Sequence, residues 1–169
     1  IPFRILNFRS DNGSEFINYR VAELLNKLLV EEFTKSRSCR STDNALVEGK
    51  NGAVIRKHVG YGPIDAGHAE SWQKFYTAYL NPYLNFHRPC GFALIRTDAR
   101  GRRKRAYPHQ NYRTPYEKLT SLKKWEQYLK PGIEARKLAQ QAAAMSDTEA
   151  ARRMQKAKEE LLQRCRAGR

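Results

Sequence analysis

Two carboxylates in the first third of this 169-residue chain have types and settings that could hold a divalent cation: Asp11 and Glu48. Asp11 opens the run Asp11-Asn12-Gly13-Ser14. The apolar stretch from Ile1 to Phe8 before it reads as a buried strand. Ile17, Val21, Leu24, Leu25, Leu28 and Leu29 after it recur at helical spacing. Asp11 is therefore expected where a strand stops, with Asn12 and Gly13 shaping the turn and Ser14 free to cap the helix. A carboxylate at the carboxyl end of a strand is well placed for a hard cation that takes oxygen ligands. Asp-Asn-Gly-Ser is equally ordinary turn chemistry, and this stretch alone does not separate the two readings.

Glu48 belongs to a segment, residues 43–57, that reads as a helix capped by Asp43. Leu46, Val47, Val54 and Ile55 give it an apolar side, while Gly49 and Gly52 each weaken it by about 1 kcal/mol. Asn44, Glu48 and Asn51 are spaced i, i+4 and i+7, so they share one face. A lone Glu on a helix is usually solvated. This one follows Asp11 by 37 positions, with the strand-like Val30-Glu31-Glu32-Phe33-Thr34 between them.

Asp11-Asn12-Gly13-Ser14-Glu15-Phe16, followed by a helical Glu48 within Asn44-Ala45-Leu46-Val47-Glu48-Gly49-Lys50-Asn51, resembles the catalytic core of the DDE integrases and transposases. The closer likeness is to bacterial insertion-sequence transposases with a retroviral-type integrase core. It continues through residues 83–92 and 112–119 and covers most of positions 3–130. The resemblance implies an α/β, RNase H-like fold in which three carboxylates hold two Mg²⁺ (or Mn²⁺) ions. Asp11 matches the second carboxylate and Glu48 the third, with Lys50 and Asn51 positioning substrate. None of the ten residues before Asp11 is acidic, so the first carboxylate has no counterpart. The expectation is a fragment truncated at its N-terminus, whose sheet lacks its first strands and so exposes a long edge. The intact protein would cleave and transfer DNA strands, whereas this chain alone is expected to be inactive. The alternative is a non-catalytic DNA-binding or interaction remnant; a basic RNA-binding protein of ribosomal type is a third reading. Implied partners are double-stranded DNA (transposon ends and target) and a second copy or full-length transposase, in a bacterial, nucleoid-associated, cytoplasmic setting.

Composition narrows the partner class independently. The chain carries 32 Lys and Arg against 17 Asp and Glu, a net charge of +15, which favours a polyanion. The excess is uneven: residues 1–95 carry 12 basic and 9 acidic side chains, and residues 96–169 carry 20 and 8. Cys39, Cys90 and Cys165 lie far apart, with no Cys-x-x-Cys and no zinc spacing to His58, His68, His87 or His109. No apolar run reaches the length of a membrane span, so a membrane partner is not expected.

Twelve of these cations fall into three groups. Lys35, Arg37 and Arg40 lie in a Ser-rich loop after the second strand, where they could touch phosphates or merely be solvated. Lys50, Arg56 and Lys57 flank Glu48 and suit a DNA backbone, although Arg56 and Lys57 would equally favour a helix dipole. Arg96, Arg100, Arg102, Arg103, Lys104 and Arg105 form the densest cluster, on a hairpin turning at Asp98-Ala99-Arg100-Gly101. Ala69, Trp72, Phe75, Tyr76, Tyr79 and Leu80 read as a core stripe of a helix that Asn81-Pro82 ends or kinks. His87 reads as a packed structural histidine sooner than an active-site neighbour. Thr114-Pro115 opens a short helix, and two tail helices follow Pro131-Gly132, the second capped at Ser146. The narrow stripe Met154, Ala157, Leu161 and Cys165 on that last helix reads as partner-docking or marginal. Three regions result: 1–90 as part of the catalytic core, 91–131 as hairpin and short helix, and 132–169 as a basic helical tail.

Overall fold

The computed structural model describes residues 2–10, 19–36 and 51–167. The chain is mixed α/β with small sheets and divides into two compact units. The first comprises residues 1–63 and 128–133; the second comprises residues 64–127 and 134–169.

In the first unit, β1 (Ile5–Ser10) and β2 (Val30–Lys35) pair in parallel, with α1 (Tyr19–Lys27) in the chain between them. Parallel neighbours require a crossover connection, and the helix provides it. The strand runs two residues further than the apolar run suggests, because pairing continues through Arg9↔Thr34 and Ser10↔Lys35. Phe8 stacks on Phe33 at 5.9 Å between ring centroids. Leu6, Leu24, Leu29 and Phe33 remain exposed, and α1 buries none of its side chains. Residues 2–4 are met by a segment from far along the chain. Arg4 N–H donates to Tyr128 O, Lys130 N–H donates to Pro2 O, and Phe3 bridges Leu129 antiparallel. Lys130 Nζ also donates to Leu28 O at 2.8 Å. The helical stretch after residue 50 is π-helical over Asn51–Arg56 and closes as α2 (Lys57–Val59). It stops at Gly60, whose φ of 93° suits glycine. Val54 is half-buried and Ile55 is 45% exposed, so only part of the expected apolar side is covered.

Every buried apolar side chain among the described residues belongs to the second unit: Trp72, Phe75, Leu80, Leu138, Ala150, Met154 and Leu161. α3 (Ala69–Phe75) carries Trp72 and Phe75, whose rings meet edge to face at 5.9 Å. The helical path does not end at Asn81-Pro82. It continues through π-helical turns over Tyr76–Leu80 and Tyr83–His87, on either side of the proline. Pro82 has no N–H to give, so the carbonyl one turn earlier loses its partner, and wider i→i+5 bonds flank it, Asn81 N–H to Tyr76 O before it and Arg88 N–H to Tyr83 O after it. Asn85 Nδ2 donates back to Asn81 O at 2.8 Å.

Two helices close this core: α5 (Ala135–Ala143) through Leu138, and α6 (Asp147–Ala167) through Ala150, Met154 and Leu161. The apolar stripe on α6 is thus covered by the chain's own aromatic helix. A stripe that looks too thin alone suffices here, because it packs against the helices that carry the buried Trp72, Phe75 and Leu80. In the sequence between these helices, β3 (Cys90–Gly91) pairs antiparallel with β6 (Tyr112–Arg113), and β4 (Leu94–Thr97) with β5 (Arg103–Ala106). α4 (Pro115–Thr120) follows, opened by a full capping box between Thr114 and Glu117.

Candidate functional site

The carboxyl ends of β1 and β2 lie side by side in the first unit. Ser36 N–H donates to Ser10 O at 2.8 Å, and Ser36 Oγ donates to the same oxygen at 3.1 Å. Both serines are buried. A parallel βαβ unit sends both strand ends to one edge, where ligands of open α/β sheets gather. Behind that edge the strands are tied by side chains. Asn7 Nδ2 donates to Glu32 Oε2 at 2.9 Å, Thr34 Oγ1 donates to Asn7 Oδ1 at 3.1 Å, and Arg4 pairs with Glu31.

Of the residues expected to act here, Asp11, Asn12, Gly13, Arg37, Arg40, Glu48, Lys50 and the side chain of Asn51 lie outside the described residues. Asp11 is the next residue in sequence after Ser10, and Glu48 precedes the helical Asn51–Arg56 by three positions. Lys35 is exposed at the last position of β2, with its Nζ 6.0 Å from the centre of the Phe33 ring. Arg56 lies 5.3 Å over the ring of Tyr61, and Lys57 is exposed. Tyr61 escaped the sequence reading. The signal was an aromatic five residues after Arg56, in the run Gly60-Tyr61-Gly62-Pro63, whose glycines and proline break the helix. Among the described residues no group of three His, Cys, Asp or Glu side chains could hold a metal.

The basic hairpin forms in the second unit as expected, and its turn is closed by Asp98. Gly101 N–H donates to Asp98 O at 2.9 Å, and Gly101 takes a φ of 75°. Asp98 Oδ1 accepts from the backbone of Arg100 and Arg102 at 3.0 and 2.9 Å, while Arg102 Nε donates to Oδ2 at 3.0 Å. Asp98 thereby satisfies the turn's own donors, a habit of Asp in turns. Arg102 is consequently part of the turn as well as a surface cation. Arg96, Arg100, Arg103, Lys104 and Arg105 are exposed. The hairpin's base is fixed by Phe92 N–H to Asn111 O and by Asn111 Nδ2 to Phe92 O, beside the β3–β6 pair.

His87 is 4% exposed, and its Nδ1 lies 3.0 Å from Asp147 Oδ1 at the start of α6. It is a packed histidine of the second unit's core. Elsewhere in that core, burial raises the Tyr76 hydroxyl above the ordinary tyrosine pKa. Lys74 holds the exposed Glu70 carboxyl below its usual value, through a side-chain hydrogen bond and its charge. No helix among the described residues is long and apolar enough to cross a membrane.

Comparison with known proteins yields one partial likeness. The uncharacterized protein y4rM of Sinorhizobium fredii is 43% identical over 63 residues, which are 37% of this chain and 18% of that relative's length. No family model matches the chain, and no solved structure matches it.

Proposed function

We propose that the chain is part of a DDE-type transposase: an RNase H-like core, carrying two of its metal-ligating carboxylates, joined to a basic DNA-binding arm. One observation carries this reading. β1 and β2 form a parallel pair whose carboxyl ends are joined at Ser10 and Ser36, and Asp11 follows Ser10 directly in the sequence. The donor chemistry fits the implied ions, because carboxylate oxygens suit Mg²⁺ and Mn²⁺. Asp11 and Glu48 would hold the metal, and Lys50 and Asn51 would position the DNA. When bound, the ions activate water or a DNA 3′-hydroxyl and stabilise the leaving oxygen. Lys35 offers a phosphate contact at that edge, and the exposed Arg56 and Lys57 offer others, Arg56 with the exposed Tyr61 ring beneath it.

The test is metal-directed cleavage of the polypeptide. Fe²⁺ replaces Mg²⁺ in the presence of duplex DNA, and ascorbate with peroxide then cuts the backbone near the bound iron. Cuts beside both residue 11 and residue 48 are expected, and Asp11→Asn should suppress both sets together. Cuts at neither position, or at one position independently of the other, would sink the shared-metal reading.

The charge of the hairpin favours a second reading, a DNA-binding remnant without catalysis. Its mark is duplex affinity unchanged by EDTA, together with no metal-dependent cleavage at residues 11 and 48. In either case the 169-residue chain alone is not expected to join transposon ends, since a family ligand has no counterpart in residues 1–10.

A further inference from the structure

The hairpin β4–β5 packs neither of its faces. All four residues of β4 and the first three of β5 are exposed, Leu94 and Ile95 among them. Side chains alternate across a strand. The register Arg96↔Lys104 therefore places those two cations together on one face, and Thr97↔Arg103 with Ile95↔Arg105 places Arg103 and Arg105 on the other. None of the four has an ion pair among the described residues, whereas Arg102 is held by Asp98. The tip's acid is likewise occupied, by Arg102 and by two backbone N–H groups.

Like charges directly opposite each other, as Arg96 and Lys104 are, weaken a strand pair. A hairpin without a buried face has little else to offset that repulsion. A phosphate seated at the pair would remove it. A protein laid flat against a nucleic-acid backbone needs cations on one side only; cations on both sides match a ligand with anions on both sides. A two-stranded ribbon is one of the shapes that the major groove of B-form DNA admits, and both walls of that groove are lined with phosphates.

We infer that the hairpin is a groove-entering arm, which lies in the major groove of duplex DNA with Arg96 and Lys104 on one phosphate wall and Arg103 and Arg105 on the other. This rests on the reading of the chain as a binder of duplex DNA. The contacts are to phosphates, so the arm adds affinity and position without base specificity. Its rigid turn and tied base keep the two faces in fixed opposition.

The experiment uses the full chain and a fluorescent duplex of mixed sequence, with binding followed by anisotropy across a salt series. Each lost phosphate contact lowers the slope of log K against log salt by about 0.9. R96Q/K104Q and R103Q/R105Q should each reduce the slope by about 1.8. The charge-keeping R96K/K104R should leave it as in the wild type. Methyl green, which occupies the major groove, should compete with the protein, and netropsin in the minor groove should not. A slope reduced by one double variant only means one-sided contact and overturns the arm; so does displacement by netropsin alone. If both double variants bind like the wild type, the arm is excluded while duplex binding by the chain stands. If the wild-type chain binds no duplex, or prefers a structured RNA, the DNA reading falls and the arm with it.

Discussion

His87 Nδ1 and Asp147 Oδ1 stand 3.0 Å apart, 60 positions distant in sequence, and so tie the end of one π-helical turn to the first residue of α6. The carboxylate also sits at a helix N-terminus, where its charge suits the helix dipole. Asp147→Ala should therefore lose both contributions, about 1–3 kcal/mol together. Asp147→Asn should recover part of that, because an amide oxygen can still meet the ring. Denaturant unfolding of the three proteins checks it, and equal midpoints for all three would show the pair to be incidental.

Leu161 is 1% exposed and packs where α6 closes on the aromatic helix. Leu161→Ala should cost about 2–5 kcal/mol, through lost transfer energy and the cavity left behind. A loss below about 1 kcal/mol would mean that the α6 stripe does not face the core. Thermal unfolding with refolding controls measures it.

Thr114 and Glu117 cap each other's backbone N–H groups, and Thr114 is 3% exposed. Thr114→Ala should destabilise by about 1 kcal/mol. Thr114→Ser keeps the oxygen and should stay close to the wild type. Near-identical unfolding of the alanine variant would remove the box as a stabilising element.

Tyr76 holds its proton more tightly in the folded state, because burial beside Trp72 and Phe75 disfavours the phenolate. A raised folded-state pKa contributes stability that is present in full below the unfolded value. That contribution is lost as pH rises through the folded value, so the window opens near pH 10. Between pH 9 and 11 the wild type should lose stability faster than Tyr76→Phe. Parallel pH profiles of the two proteins would refute this.

Asp98 closes the hairpin turn through three hydrogen bonds. Asp98→Ala should weaken duplex binding by several-fold although it removes a negative charge, because the two strands of the arm are no longer held in register. Tighter binding by the variant would show that net charge outweighs the geometry of the turn.

Local chemistry alone determined much of this protein. The Asp98 turn, the Thr114-Pro115 start, the Pro131-Gly132 break and the helix after Ser146 depend on neighbours within a few residues and are found where their sequences put them, while the strand before Asp11 lies at Ile5–Ser10 and the strand at Val30 at Val30–Lys35. Periodicity also marked Trp72, Phe75 and Leu80 as core. Three features depended on which segments pair or pack, two of them across long stretches of chain, and only the tertiary structure decided them. Residues 128–130 return to pair with residues 2–4, a partnership that nothing in either stretch specifies. The stripe on α6 becomes core because the partner large enough to cover it lies some 80 residues earlier. The basic run from Arg102 to Arg105 is divided by register between two faces and a turn, since pairing with Leu94–Thr97 sets which way each side chain points. Sequence fixes charge and local shape through short-range sterics and hydrogen bonding; which surfaces meet is set by long-range packing, and only folding reveals it.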